Sequence, residues 1–208
     1  HKNVTSFDGT EIHYDIYDAP SSSVVIVVPG FWRDRRHASM TRLGHWFQAE
    51  GRRCVVVDVR GHGESGGTYG FNLHEHHDIA AVCGDLLAAD PTISDFTLTG
   101  FSYGGAIAIS ATARHDLPIT ALLLISPVAD FAMIAPRMNL FTMHRHIAFS
   151  QALKRPRFGW NIRQSAKLRA VDDRPEALLP RFRLLALAQQ HRQCPAQGVA
   201  AAVLVILR

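Results

Sequence analysis

The sequence predicts an α/β protein built on a doubly wound, mostly parallel β-sheet, and three observations lead to this prediction. Continuous apolar runs rich in β-branched residues alternate along the chain with segments of helical periodicity, and the connections between them are short. Strands that are apolar on both faces are typical of parallel sheets covered by helices on both sides. The chain has 208 residues, 47% of them hydrophobic, which is sufficient for a domain with a substantial core.

The elements follow in order from these patterns. Asp8 and Gly9 indicate a turn, and the alternation of Ile12, Tyr14 and Ile16 after it predicts a half-buried strand. Continuous apolar runs predict core strands at 24–28, 54–57 and 121–125, and the segment 96–99 predicts a further strand between them. Apolar residues at helical spacing predict helices near 40–47, over 75–89 and over 106–113.

The alternation of strands and helices stops after Pro127. No strand is evident between 131 and about 190, so we expect a helical cap there, and the apolar run 199–207 predicts one more strand. The predicted organisation is therefore a core at 1–130, a helical cap or lid at 131–192 and a returning core strand at 193–208. The set of C-terminal strands is expected to be incomplete.

Positive charge is concentrated in the predicted cap. The formal net charge of the chain is +4, but 131–192 contains twelve basic and three acidic residues, a net charge of +9, which leaves −5 for the remainder. The simplest interpretation is a solvated, arginine-rich surface; the alternative is attraction to an anionic surface or an acidic carrier protein. No motif indicates nucleic-acid binding.

Cysteine content and hydropathy exclude other classes of protein. Cys54, Cys83 and Cys194 lack CxxC spacing, and we expect all three to be reduced and mostly buried. The longest apolar run, 199–207, is far shorter than the roughly 18 residues that a membrane-spanning helix needs. We therefore expect a cytoplasmic protein.

The strongest chemical signal is the segment 100–104, which matches G-x-S-x-G and lies between a predicted strand and a predicted helix. A sharp turn there would hold the Ser102 hydroxyl out at the sheet edge, above a helix N-terminus that favours negative charge. Ser102 is thus the candidate nucleophile. The main-chain N–H groups of Tyr103 and of Phe31, in the loop after the first core strand, are the candidate oxyanion donors. The alternative is a glycine-rich helix start with a capping serine.

A third motif, D-x-R-G-H-G-x-S at 58–65, completes a pattern that resembles the α/β-hydrolase fold family. Within that family the chain is similar to the esterases, the monoacylglycerol-lipase-like members and the serine-aminopeptidase-like members, over about residues 4–130. The resemblance implies hydrolysis of a small-molecule acyl ester through an acyl-enzyme, without a cofactor. Related chemistries are thioester cleavage and acyl transfer. It also implies a structural role for His62. Pro29 stands where the family has a histidine, which should be tolerable because the oxyanion is bound by backbone N–H groups.

The resemblance places an acid and then a histidine after the nucleophile, and both are expected beyond Arg208. We therefore expect this chain, which begins with His1 rather than Met, to be a fragment. One alternative is a shortened, non-catalytic relative that binds a ligand or partner. Another is the use of substitutes within the chain. Asp130 is then the candidate acid, or else an N-cap, and the substitute bases are His144, His146 and His191.

Two further expectations concern binding. Trp32 and Phe131, together with other apolar residues of the predicted cap, are candidate substrate-binding residues, although the cap residues could equally form its own core. His74 with His77 or Asp78 lies on one helical turn, but a metal site needs three or four converging ligands and no second cluster is evident. We therefore predict no metal site. The sequence does not indicate an oligomeric state.

Overall fold

The sheet and its helices were defined in a computed structural model, which describes residues 1–31, 33–70 and 72–128 in full and the backbone of 183–187 and 203–207. The strands are β1 Lys2–Thr5, β2 Glu11–Tyr17, β3 Ser23–Val28, β4 Arg53–Val57, β5 Asp95–Phe101, β6 Ile119–Ile125, β7 Arg183–Leu187 and β8 Val203–Leu207. The helices of the described residues are α1 Ala38–Ala49, α2 Glu75–Ala89 and α3 Tyr103–Arg114.

The eight described strands form one sheet in the order β1-β2-β4-β3-β5-β6-β8-β7. The four central strands are parallel to one another, whereas β2 and β8 run antiparallel to their inner neighbours. The outermost strands β1 and β7 reverse direction again, so six of the eight strands point the same way. The predicted α/β fold with a mostly parallel sheet is confirmed.

Alternation along the central strands produces two apolar layers. Val25 and Val27 of β3 pack on one face with Met40 and Phe47 of α1. Their neighbours Val24, Ile26 and Val28 belong to a larger cluster on the opposite face, which includes buried residues of α2 and α3. Helices on both faces explain why β3 is apolar at consecutive positions rather than at alternate ones.

Parallel packing brings the carboxyl ends of β3, β5 and β6 to one edge of the sheet. Val28 pairs with Gly100, and Gly100 pairs in turn with Leu124, so these three strands end side by side. The loops that follow them are therefore neighbours, although they are far apart in the sequence. Ligands of open α/β sheets bind at this kind of edge.

The C-terminal strands require one correction. The prediction that no strand lies between 131 and about 190 is wrong, because β7 occupies Arg183–Leu187. This segment is rich in Leu and Ala, which favour helices, and its extended state depends on pairing with β8. The strand predicted at 199–207 is present as the shorter β8. The rest of the predicted cap lies outside the described residues, and the domain boundaries stay predictions.

Other expectations about the core agree with the structure where it can be compared. The turn at Gly9, where φ is 84°, joins β1 and β2 as an antiparallel pair. Cys54 and Cys83 are buried free thiols, while Cys194 lies outside the described residues. Within the described part of the chain, no helix is both long and apolar enough to cross a membrane.

Candidate active site

The candidate nucleophile occupies a strained turn between β5 and α3. Ser102 has φ 50° and ψ −114°, a conformation that costs a non-glycine residue about 1–3 kcal/mol. The residue is exposed at the sheet edge, whereas Tyr103 beside it is buried. Within the described part of the chain, the Ser102 side chain makes no capping hydrogen bond to α3. The alternative of a capping serine therefore does not account for this residue.

Glycines allow the strand and the helix to approach closely enough for this turn. A Cβ at Gly100 would lie 2.5 Å from the Cα of Gly105 and 2.6 Å from the carbonyl oxygen of Gly104. A Cβ at Gly104 would lie 2.5 Å from the carbonyl oxygen of Pro29. These atoms belong to the backbone and cannot rotate away. The spacing of glycines in the motif is therefore a steric requirement of the turn.

The end of β6 and the segment after it are hydrogen-bonded to the backbone of Ser102. The Ser102 amide donates a hydrogen bond to the carbonyl oxygen of Ile125 at 2.8 Å, and the Val128 amide donates to the carbonyl oxygen of Ser102 at 3.1 Å. Between them Ser126 has φ 49°, a second strained non-glycine residue at this edge. No sequence motif marked Ser126, because its conformation depends on the neighbouring strand.

The loop after β3 lies against the same serine. A Cβ built at Gly30 would be 3.4 Å from the Cβ of Ser102 and 3.0 Å from the carbonyl oxygen of Phe101. The structure thus brings Phe31, which follows Gly30, to the same edge of the sheet as Ser102 and Tyr103. A backbone this close to a serine side chain is a suitable location for N–H groups that bind an oxyanion.

The side chains of Phe31 and Tyr103 meet in one aromatic cluster, and Tyr69 joins them. The Tyr69 ring lies 5.2 Å from the Phe31 ring and 4.9 Å from the Tyr103 ring, measured between centroids. The His62 ring lies 4.8 Å from Tyr69 and 6.0 Å from Phe31. Tyr69 is only 1% exposed. These contacts are those expected of favourable aromatic packing, and they connect two loops that the sequence did not link.

A buried carboxyl group lies next to this aromatic cluster. Glu75, at the start of α2, accepts hydrogen bonds from the backbone N–H groups of Gly70 at 2.5 Å and His74 at 3.1 Å. Burial raises the pKa of Glu75 to about 7. Burial also raises the pKa of Tyr69 and of Tyr103, and the nearby Glu75 charge adds to both shifts. The two phenols are therefore neutral at physiological pH.

Residues of the D-x-R-G-H-G-x-S motif form a network of buried ion pairs and hydrogen bonds. The Asp58 carboxylate accepts hydrogen bonds from the backbone N–H groups of Arg35 at 2.6 Å and Glu64 at 3.0 Å, and it pairs with the Arg35 guanidinium. The Ser65 hydroxyl donates to the carbonyl oxygen of Asp58 at 2.6 Å. Burial lowers the pKa of His62, so this ring is neutral. Most of the motif thus stabilises the loop itself.

The residues at the start of α2 that were considered as metal ligands, His74, His77 and Asp78, do not converge as a group. Asp78 is fully buried and pairs with Arg60 at 2.7 Å, so its carboxylate is engaged away from the histidines. His77 instead comes close to His76 and to His115, the residue that follows α3. Nothing in the sequence indicated this third histidine, because His115 is 38 residues from His77 and only the packing of α2 on α3 brings it near; the absence of a metal site stays a prediction.

Several candidates fall outside the described residues. These are the predicted substrate-binding residues, the alternative acid and the substitute bases: Trp32, Phe131, Asp130, His144, His146 and His191. Their roles stay predictions. Among the candidates that are described, Ser102, Phe31 and Tyr103 come together at one sheet edge.

Solved structures with a similar fold include several esterases. An esterase of Pyrococcus furiosus aligns with a TM-score of 0.59 and 26% identity, over 65% of this chain and 51% of that one. An esterase of Exiguobacterium antarcticum aligns with a TM-score of 0.54 and 25% identity, over 62% of this chain and 46% of that one. This chain thus spans about half the length of these esterases. A protein of Agrobacterium vitis shares the fold over 93% of this chain and 65% of its own, at 19% identity and a TM-score of 0.55.

Sequence comparison supports the same assignment at the level of the family. No curated protein sequence matches the chain significantly. The profile of the alpha/beta hydrolase family, however, matches residues 25–206, which include the loop after β3, the turn at Ser102 and the strands on either side. The chain therefore belongs to the alpha/beta hydrolase family.

Proposed function

We propose that this chain carries the nucleophile and oxyanion-binding half of a serine hydrolase site for carboxylic esters. The observation that supports it most is the backbone of Ser102, held at φ 50° on the exposed sheet edge with the loop after β3 packed against it. Strain of this kind persists where the surrounding structure imposes it, and it is concentrated at functional sites. The esterases among the similar structures support the ester as substrate class.

The chemistry assigned to the site is acyl transfer in two steps. The Ser102 oxygen bonds to the ester carbonyl carbon while a base takes its proton, and the carbonyl oxygen becomes an oxyanion. The backbone N–H groups of Phe31 and Tyr103 bind that oxyanion. The tetrahedral intermediate then breaks its bond to the leaving alcohol, which takes the proton, and water releases the acid from Ser102 in a second round. The resemblance to the family implies a histidine as base and a carboxylate that orients it.

Tyr69 is a positioning residue in this proposal. It contacts the rings of both residues whose amides are assigned to the oxyanion, and it is almost completely buried. A single side chain therefore contacts both the loop after β3 and the start of α3. Because donors must be placed to within fractions of an ångström, such support matters for rate as well as for stability.

A fluorophosphonate probe tests the assignment, applied to the protein in its full length. We expect covalent labelling that is lost in Ser102→Ala. Ser94→Ala is a matched control, because Ser94 is an exposed serine immediately before β5, at the end of the strand opposite to Ser102. Labelling that persists in Ser102→Ala refutes the role of this serine. No labelling and no ester turnover in the unmodified protein would instead indicate a non-catalytic binding protein.

A further inference from the structure

Three histidine rings from two helices meet on the surface formed by α2 and α3. His76 and His77 lie in the first turn of α2, and His115 is the C-cap residue that follows α3. One ring nitrogen of each lies within 4.8 Å of those of the other two, and the Nδ1 of His76 is 2.9 Å from the Nε2 of His115. The ring centroids are 4.1 to 5.2 Å apart.

We propose that His76, His77 and His115 bind a divalent transition metal ion of the Zn²⁺ type. Three imidazole nitrogens with water in the fourth position form a known tetrahedral zinc environment. With Zn–N bonds of about 2.0–2.1 Å, the ligand nitrogens of such a site lie roughly 3.3 Å apart. The nitrogens of His76 and His115 need to separate by only a few tenths of an ångström to reach this spacing.

The electrostatic surroundings keep these rings in the form that binds metal. Burial is the main cause that lowers the pKa of His76, His77 and His115, and the pKa of His76 falls to about 3. The neighbouring Arg114 adds to the effect on all three. Neutral imidazole is the ligand form. The hydrogen bond between His76 Nδ1 and His115 Nε2 needs a proton on one of these two nitrogens, so metal binding there would require that ring to carry its proton on its other nitrogen. The positive charge of Arg114 also repels a metal cation, so we expect a site of moderate affinity.

The site is separate from the candidate active site. Ser102 precedes the twelve-residue helix α3 and His115 follows it, and twelve residues of helix span about 18 Å. The metal would connect the start of α2 to the end of α3. Since the unfolded chain does not hold these histidines together, an ion bound there stabilises the folded protein.

Titration with Co²⁺, a spectroscopic substitute for Zn²⁺, tests the proposal on the 208-residue chain. We expect one Co²⁺ per chain with the intense visible absorption of tetrahedral coordination, displaced by Zn²⁺. His115→Gln should weaken binding by about 100-fold or more. Removing an outer-shell partner already costs up to about 100-fold, and His115 is itself a proposed ligand. His13→Gln is the matched control, because His1, His13 and Glu64 form the other described group with ligand atoms this close together.

The proposal is overturned by the absence of a tetrahedral spectrum, or by Co²⁺ affinity in His115→Gln equal to that of the unmodified chain. Loss of binding in His13→Gln alone would assign the metal to the other group and overturn it as well. If His115→Gln fails to fold, His77→Gln replaces it, since His77 is only partly buried. Melting with and without Zn²⁺ provides a second measurement, and Zn²⁺ should raise the melting temperature only where all three histidines are present.

Discussion

Replacing Gly100 by Ala should disrupt the turn that holds Ser102. The added Cβ would lie 2.5 Å from the Cα of Gly105 and 2.7 Å from its nitrogen, against the 3.4 Å at which ordinary contact begins. The shortfall of 0.9 Å involves backbone atoms of α3, so β5 and α3 must separate. Overpacking of this kind typically costs 1–3 kcal/mol. Because backbone must move, we expect the upper end, about 3 kcal/mol.

The matched control is Gly84→Ala. Gly84 lies in α2, and no atom falls within 4 Å of a Cβ built there. Alanine is the better helix former by about 1 kcal/mol, so this variant should be more stable than the unmodified chain. The same substitution, glycine to alanine, is thus expected to lower stability at position 100 and to raise it at position 84.

Thermal and urea unfolding followed by circular dichroism measure both effects. For a chain of this size, about 3 kcal/mol corresponds to a melting temperature lower by about 6–12 °C in Gly100→Ala, and the gain in Gly84→Ala to a rise of about 2–4 °C. The steric reasoning is refuted if Gly100→Ala is as stable as the unmodified chain, or if both variants lose stability equally.

Three further predictions concern buried residues around the site. Asp58→Asn removes the fully buried carboxylate among the three that pair with Arg35 and leaves Asp15 and Glu64. It should lower the free energy of unfolding by about 3 kcal/mol in urea titrations, the lower end of the cost of breaking a buried pair; a loss below about 1 kcal/mol would contradict the buried pair. Burial raises the pKa of Glu75 from 4.5 to about 7, so the folded chain retains a proton there that the unfolded chain releases, and stability is lost as pH rises through this window. As pH rises from 4.5 to 8, the unfolding free energy of Glu75→Gln should therefore increase relative to that of the unmodified chain, by at most about 3 kcal/mol. A difference in unfolding free energy between the two proteins that does not change over this range would contradict the prediction. Tyr69→Leu should slow fluorophosphonate labelling of Ser102 by about 100-fold, whereas Tyr69→Phe retains the ring contacts and most of the rate; equal rates in all three proteins would exclude a positioning role.

Local sequence patterns were sufficient to predict most strands and helices of the core. Continuous apolar runs predicted β3, β4 and β6 because strands covered on both faces are apolar at consecutive positions. The helix at 75–89 was predicted with its bounds, since its apolar residues recur on one face. The turn at Ser102 followed from glycines that a strand and a helix in close contact require. Each of these signals depends on residues close together in the chain.

Features that depend on distant residues were visible only in the tertiary structure. β7 is extended because β8 pairs with it, against the helical preference of its own residues. Tyr69 contacts Phe31 and Tyr103 because its own loop, the loop after β3 and the start of α3 meet at one edge of the sheet, and no motif contains all three. His115 meets the histidines of α2 through helix packing. The sequence by itself determined the central strands, the three helices and the strained serine through local periodicity and sterics. The partners of each side chain were decided by contacts between segments that only folding brings together, because periodicity specifies which face of an element is buried but not what packs against it.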